Sequence, residues 1–306
     1  MTGDRRFPKD RGLTAHMVGT MFLLGLVYVA FIAVLLALRV PLAFVIVIAG
    51  GLLFVQYYFS DRIALAMMRA RMVSPQDQPD LHAVVDRLCA MADMPKPAVA
   101  IADVDLPNAF ATGRNPSHAV LCVTTGLLRR LDPSELEGVL AHELSHVAHR
   151  DVAVMTIASF LAMAAAMLVR VAYYSELFGG GFGGEGRDRN AGQLMLLLML
   201  VSIVVYAISF LLIRALSRYR ELAADRSGAI LTARPSALAS ALVKVSGEMG
   251  RIPTRDLRAA EGLNAFFFAP ALARGFSLSS LFSTHPSLQR RLEQLSRLEA
   301  ELDRPQ

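Results

Sequence analysis

Four long stretches of the chain carry no charged residue, and each is 18 to 21 residues long. They cover residues 17–37, 40–60, 152–169 and 193–213. A helix of that length crosses the roughly 30 Å hydrocarbon core of a bilayer. A core helix of a soluble protein would show a polar stripe, which the first, second and fourth stretches lack. The pattern therefore predicts four transmembrane helices, with a weaker signal for the third, which is rich in Ala and Met.

The sequence between and after these stretches predicts a mixed domain. Residues 61–92 read as helix with a break at Ser74-Pro75, and three segments rich in Val and Ala read as short strands, at 97–102, 108–112 and 119–124. A further helix begins with Asp132 as N-cap, followed by Pro133 and Glu135. The predicted fold class is an α+β membrane protein, mostly helical, with four transmembrane helices and a small β-sheet.

The basic residues predict the orientation of the chain in the membrane. Both hairpins have Arg or Lys outside their ends, whereas the first turn carries only Arg39. Because positive charge is retained on the cytoplasmic side, both termini and the polar domain are predicted to be cytoplasmic. The predicted divisions are the N-terminus and first hairpin (1–60), the first part of the polar domain (61–151), the second hairpin with a Gly-rich external loop (152–213), and the second part of the domain (214–306).

Composition agrees with a membrane protein and narrows its partners. The chain is 54% hydrophobic, with a mean hydropathy of +0.45 and a net charge of +5. The basic residues lie beside the membrane segments, where they favour anionic lipid headgroups. No nucleic-acid-binding module is recognisable. Cys89 and Cys122 are too few for a disulfide framework.

The sequence Ala141-His142-Glu143-Leu144-Ser145-His146 supplies the candidate chemistry. Residues four apart share one face of a helix, so His142 and His146 can bind one metal ion. Glu143 is then close enough to act as general base on a water at that ion, as in metal-assisted peptide hydrolysis. Two imidazoles suit zinc, although these ligands do not exclude another divalent metal. The alternative is an amphipathic helix with two ordinary histidines.

A third ligand is expected soon after the fourth hydrophobic stretch, where the chain returns to the same side of the membrane. Glu221 lies eight residues beyond Ile213, or about 12 Å along a continued helix. Asp225, one turn further, could accept a hydrogen bond from a ligand imidazole. The alternative is that these are surface carboxylates paired with Arg218 or Arg226.

Two polar residues follow the H-E-x-x-H sequence. His149 lies two turns from His142, too far to bind the same ion, so we expect it near the membrane interface or hydrogen-bonded close to the site. Asp151 is expected to cap the start of the third hydrophobic stretch or to hydrogen-bond within the site.

Four motifs, taken together and in their order along the chain, resemble one family. They are the H-E-L-S-H of residues 142–146, the R-E-x-x-x-D of 220–225, the N-A-F-A-T-G of 108–113 and the S-T-H-P of 283–286. Together they resemble the HtpX membrane metalloproteases, gluzincins related to the type-I CAAX prenyl proteases. The resemblance implies a zincin-like domain with one Zn²⁺ per chain. It also implies a multi-pass endopeptidase of the bacterial inner membrane, facing the cytoplasm and cleaving damaged membrane proteins. Its specific substrates and oligomeric state are not implied.

The resemblance also implies roles that spacing does not. Residues Asn108, Ala109, Phe110 and Ala111 would form an edge strand to which an extended substrate adds by backbone pairing. The alternative is a structural strand with Phe110 in the core. His285 would donate to the oxyanion of the tetrahedral intermediate, or instead belong to a capping turn before a helix at 288–302.

Two other classes of protein remain open. A zinc-binding scaffold would not need Glu143, and a transporter would be expected to carry ionisable residues within its membrane segments, which the four stretches lack. The sequence therefore favours a protease that acts on polypeptides at a lipid bilayer.

Overall fold

The computed structural model describes residues 11–37, 42–151, 164–170, 189–249 and 285–304, together with positions 154, 155, 158 and 162. In these ranges the labelled helices are α1 (Arg11–Ala37), α2 (Leu42–Tyr58), α3 (Ser60–Met67), α4 (Pro79–Ala92), α5 (Thr125–Arg130), α6 (Pro133–Ala148), α7 (Arg189–Thr232), α8 (Pro235–Met249) and α9 (Leu288–Leu302). The strands are β1 (Arg71–Met72), β2 (Ala98–Ala102), β3 (Ala109–Thr112) and β4 (Val120–Thr124), and a short 3-10 helix spans Pro116–His118.

Two described helices are long and apolar enough to cross a bilayer, Thr14–Ala37 in α1 and Leu196–Thr232 in α7. They match the first and fourth predicted segments. Helix α2 covers the second and has 17 residues, close to the minimum for a span. Most of the third segment lies outside the described residues. The described chain thus holds two candidate membrane spans where the sequence predicts four.

Helix α1 packs along α7 and leaves an apolar outer face. Phe31 and Leu35 are buried in one cluster with Val205. On the other side of α1, Phe22 and Val29 are 65% and 67% exposed. Large apolar side chains exposed over many turns are typical of a surface that faces lipid.

The four strands form one mixed sheet in the order β1-β2-β4-β3. Strand β2 is parallel to β4, and the outer strands β1 and β3 are antiparallel to their neighbours. Strands β2, β3 and β4 are confirmed within one residue of their predicted starts. Strand β1 was not predicted, because two residues carry no periodic pattern. The order places β3 at an open edge of the sheet.

Each face of the sheet packs against helices. Val99, Leu121 and Val123 lie in the main core with side chains of α4, α6 and α8. Ala100, Cys122 and Phe110 face the other way, against Ala64 and Met68 at α3. The sheet therefore lies between α3 on one side and α6 on the other, which brings α6 beside the edge strand.

The start of α6 is fixed by the predicted capping box. The Asp132 side chain accepts from the backbone N–H of Glu135, and a Glu135 oxygen accepts from the Asp132 N–H at 2.9 Å. Glu135 also accepts from Ser240 at 2.6 Å and from Lys244 at 2.8 Å, both on α8. These bonds lower the pKa of Glu135 against the opposing effect of its burial. They tie the beginning of α6 to α8.

Helix α7 runs without interruption for 44 residues, about 66 Å. Glu221 therefore lies on the same helix as the fourth hydrophobic segment, as predicted. Near its end α7 meets the backbone of α6, because a Cβ on Gly228 would lie 2.8 Å from the His142 nitrogen and 3.0 Å from its Cα. This close approach brings the two parts of the polar domain together.

Candidate active site

The three residues expected to bind a metal converge in the structure. His142, His146 and Glu221 each offer one ligand atom, and these atoms all lie within 4.8 Å of one another. The two Nε2 atoms are 3.3 Å apart, and Glu221 Oε1 lies 3.5 Å from His146 Nε2. Ligand atoms held about 2.0–2.2 Å from a tetrahedral zinc ion lie roughly 3.3–3.5 Å apart. The spacing fits one ion.

The outer nitrogen of each imidazole is bonded to a carboxylate. His142 Nδ1 lies 2.9 Å from Asp225 Oδ1, and His146 Nδ1 lies 2.5 Å from Asp151 Oδ2. A carboxylate accepts a hydrogen bond from a ring N–H, so Nδ1 carries the proton in both neutral rings. The two Nε2 atoms then direct their lone pairs toward each other, which is unfavourable unless a cation lies between them. The donor set therefore fits a bound metal.

These two carboxylates are in turn neutralised by arginines. Asp225 is fully buried and forms two hydrogen bonds with Arg291 of α9, at 2.7 and 2.6 Å. Asp151 accepts from Arg220 at 2.8 Å, and these cationic and imidazole neighbours hold its pKa well below the usual range. Because each carboxylate has two partners, its oxygens are held in place behind the imidazole that it orients.

Glu143 lies between the ligand cluster and the edge strand. Its side chain is buried, and one oxygen, Oε2, accepts a hydrogen bond from the Ala111 N–H at 3.2 Å. Burial raises the pKa of Glu143 to about 7. A carboxyl group that titrates near neutrality can both accept and return a proton under those conditions.

The edge strand presents backbone groups toward this site. The Asn108 carbonyl accepts from the Thr124 N–H, so the alternation of an antiparallel pair turns the groups of Ala109 and Ala111 away from β4. The side chains of Asn108, Ala109 and Phe110 are buried, and only that of Ala111 is partly exposed. The strand therefore offers a substrate its backbone more than its side chains.

The late histidine also reaches the ligand cluster. His285 is buried, and its Nδ1 lies 3.0 Å from Glu221 Oε2. The cap of α9 is Ser287, whose hydroxyl accepts from the Arg290 N–H at 3.3 Å. His149, in contrast, bonds the Ser145 carbonyl of its own helix at 2.7 Å.

Three residues that hold the site together were not predicted. Arg291 and Arg220 position the carboxylates, and Gly228 permits the approach of α7 to α6. A buried carboxylate needs a cationic partner, so a buried arginine could have been predicted from Asp225 and Asp151. The sequence contains many arginines, however, and does not indicate which of them is buried.

Comparison with known proteins agrees with a membrane-associated metalloprotease. The model of Peptidase family M48 matches residues 75–299. The chain therefore belongs to peptidase family M48.

Two relatives that are similar over almost the whole chain are named as HtpX proteases. The chain is 61% identical over 297 residues to Protease HtpX homolog 1 of Streptomyces coelicolor, covering 97% of this chain and 96% of that protein. It is 58% identical over 299 residues to Protease HtpX homolog of Moorella thermoacetica, covering 98% of each. The resemblance to HtpX proteases is confirmed.

One solved structure has a similar fold. The crystal structure of S. mikatae Ste24p matches with a TM-score of 0.55 and 16% sequence identity. The match covers 89% of this chain and 62% of that one, so the chain spans less than two thirds of the neighbour's length. The similarity shows a shared fold.

Proposed function

We propose that this protein is a zinc-dependent endopeptidase that cleaves polypeptides at the surface of the membrane that holds it. One observation carries the proposal: the Nε2 atoms of His142 and His146 and the carboxylate of Glu221 lie close together, with Glu143 beside them. A purely structural metal site would not need Glu143, a carboxylate that lies beside the ligands without being one of them.

His142, His146 and Glu221 would hold the ion, with Asp225 and Asp151 fixing the two imidazoles through Nδ1. When bound, zinc supplies Lewis-acid chemistry toward a water molecule and the scissile carbonyl. The buried carboxylates and arginines behind the ligands keep the donor atoms in place, so that little reorganisation is needed when a substrate binds.

Glu143 moves the proton in this proposal. Its carboxylate takes a proton from the attacking water as the C–O bond forms, and returns it to the leaving amine as the C–N bond breaks. No covalent intermediate with a Ser or Cys is required. His285, held beside Glu221, is proposed to donate to the oxyanion that develops on the carbonyl.

The substrate is proposed to bind as an additional strand on β3. The outward-facing N–H and carbonyl of Ala109 and the carbonyl of Ala111 would pair with an extended peptide, whereas the Ala111 N–H is donated to Glu143. Asn108 and Phe110 would act by fixing the strand from the core. Recognition through backbone groups suits an enzyme with broad sequence preference.

The membrane arrangement remains part of the proposal. Four spans would place residues 61–151 and 214–306 together on the cytoplasmic side, and residues 1–60 and 152–213 would contribute the two hairpins. In a bacterium this corresponds to a multi-pass protein of the inner membrane. A site near the bilayer surface supports a role in removing misfolded or damaged membrane proteins during stress. The relatives named Protease HtpX homolog support this assignment.

A cleavage assay in detergent tests the function directly. Zinc-loaded wild type should degrade casein, and Glu143→Gln should lower the rate by at least about 100-fold, because it removes the proton acceptor while zinc remains bound. The matched control is Glu137→Gln on the same helix, where the carboxylate instead pairs with Arg87 at 2.9 Å. This control should retain the wild-type rate.

Three outcomes would contradict the proposal. Equal cleavage by wild type and Glu143→Gln would exclude Glu143 as the base. Stoichiometric zinc with no cleavage of casein or of membrane-protein substrates by the wild type would favour a scaffold, and solute flux through reconstituted vesicles would favour a transporter.

A further inference from the structure

A cleft lies next to the candidate active site and opens to solvent. Its walls include Ala111 of the edge strand, His146 of the ligand cluster, and the loop after β3 with Arg114. The end of α6, with Arg150, closes the other side. The cleft thus begins where an added strand would pass Glu143 and extends beyond the end of β3.

Arg114 is held firmly at one wall of this cleft. Its carbonyl accepts a hydrogen bond from the Tyr57 hydroxyl at 2.9 Å. Its guanidinium lies 4.6 Å from the centroid of the Tyr58 ring, within the range of a cation–π contact. The neighbouring Gly113 has a φ of 128°, and a Cβ there would lie 2.3 Å from the His118 carbonyl oxygen. Position 113 therefore requires glycine, and the contacts with Tyr57 and Tyr58 hold Arg114.

Arg150 occupies a backbone conformation that favours glycine. It follows the C-cap of α6 with a φ of 55°, and its N–H bonds the Val147 carbonyl at 3.1 Å. Glycine is the usual residue at this point of a helix end, and another residue costs about 1 kcal/mol there. Arg150 thus lies at the edge of the cleft in a backbone conformation that favours glycine.

The charge of these two arginines is not compensated locally. Among the residues that the structure describes, neither guanidinium has an Asp or Glu oxygen within 4.0 Å. Asp151 also lines the cleft, but it is already bonded to His146 and Arg220. Two arginines without a described carboxylate partner therefore line a cleft beside the proposed peptidase site.

We propose that this cleft is a specificity subsite that binds a carboxylate of the substrate, the side chain of an Asp or Glu. The inference rests on the proposed peptidase function. Strand β3 ends at Thr112, and Arg114 lies in the loop two residues beyond that end. The acidic residue would accordingly lie within about four residues of the substrate residue opposite Ala111. A guanidinium recognises a carboxylate by two parallel hydrogen bonds, which a neutral amide cannot reproduce.

The test uses internally quenched peptides and the full-length zinc-loaded enzyme in detergent. A set of peptides places Glu, Gln or Lys at each position within four residues of the cleaved bond. Wild type should prefer Glu over Gln at one or two positions, by roughly tenfold in kcat/KM for two ion pairs. Arg114→Gln and Arg150→Gln should each reduce that preference about threefold to fivefold, with kcat/KM for the Gln peptide changed less than twofold.

Charge reversal and a matched control strengthen the test. Arg114→Glu should shift the preference at the same position toward Lys, which a general loss of folding would not produce. Arg234→Gln is the control, because Arg234 is an exposed residue of the turn after α7 and does not line the cleft. It should leave every peptide ratio as in the wild type.

The outcomes separate this inference from the function on which it rests. No casein cleavage by the wild type would overturn the peptidase proposal itself. Casein cleavage without any preference for Glu, or with a preference that both Arg→Gln variants retain, would overturn only the subsite. The subsite would also be overturned if Arg114→Gln and Arg150→Gln kept the wild-type peptide ratios but bound vesicles of anionic phospholipid more weakly than the wild type. That result would assign the two arginines to lipid headgroups.

Discussion

Replacing Gly228 by Ala should loosen the metal site without touching any ligand. The new Cβ would lie 2.8 Å from the backbone nitrogen of His142 and 3.1 Å from the carbonyl carbon of Ala141. The shorter distance is 0.6 Å below the 3.4 Å at which ordinary contact begins. Both neighbours are backbone atoms of α6, so the overlap cannot be relieved by rotating a side chain. Helix α7 must move outward.

The displacement is large on the scale of the site. Asp225 lies one turn before Gly228 on α7, and its 2.9 Å contact with His142 Nδ1 would lengthen toward 3.5 Å. Metal–ligand distances tolerate only about 0.2 Å. Loss of the group that orients a ligand imidazole lowers metal affinity about 10- to 100-fold. We expect a loss of that size for Gly228→Ala.

The stability change should be smaller than the change in affinity. Overpacking costs about 1–3 kcal/mol, whereas Ala in place of Gly within a helix recovers about 1 kcal/mol. The net cost is therefore about 0–2 kcal/mol. Zinc affinity is measured by competition with a chelator of known affinity, and stability of the metal-free protein by urea unfolding followed by circular dichroism.

Gly247→Ala provides the matched control for this exchange. Gly247 also lies in a helix, α8, and a Cβ there would have no atom within 4 Å. This variant should keep wild-type zinc affinity and gain up to about 1 kcal/mol of stability. If Gly228→Ala binds zinc within twofold of the wild type, the contact between α6 and α7 does not position the ligands and the reasoning fails.

Three further predictions concern the groups around the site. Arg291→Met leaves Asp225 buried without its cation and should lower the free energy of unfolding by about 3–5 kcal/mol, measured in urea. Asp151→Asn removes the charge behind His146 and should weaken zinc binding about 10- to 100-fold in the chelator assay. Glu135→Gln should be less stable than wild type at pH 7. Because the folded pKa of Glu135 is lowered from 4.5, this deficit should shrink as the pH falls below 4.5 and through the folded value, as urea unfolding at each pH would show.

These predictions have their own controls and contrary results. Arg290→Met alters the exposed neighbour of Arg291 and should change the unfolding free energy by less than about 0.5 kcal/mol. A loss below about 1 kcal/mol in Arg291→Met would mean that Asp225 finds another cation. Unchanged zinc affinity in Asp151→Asn, or a Glu135→Gln deficit that does not vary with pH, would contradict the corresponding assignment.

Local patterns were sufficient to predict several parts of the molecule. The start of α6 depends on Asp132, Pro133 and Glu135, which act within one helical turn, and the structure confirms the capping box. The strands β2 and β4 were recognisable because buried apolar residues follow one another between turn residues. Glu221 was found by topology, since the continuous helix α7 carries it back to the level of α6.

Features that depend on packing between distant segments were not predictable. Arg291 lies 66 residues from Asp225, and nothing around it distinguishes it from the exposed Arg290. In the sequence Gly228 is not distinguishable from any other glycine within a helix. Only the structure shows that α6 packs too closely against this position for a Cβ atom. The bond from Ala111 to Glu143 likewise arises only when the sheet edge meets the helix.

The most direct test of the central claim is the position of the metal. Crystals of the zinc-loaded protein, measured at the zinc absorption edge, should show one anomalous peak about 2.0–2.2 Å from Nε2 of His142, Nε2 of His146 and a carboxylate oxygen of Glu221. A peak elsewhere, or a Glu221 carboxylate that stays more than about 4 Å from an ion bound to the two histidines, would contradict the proposed site.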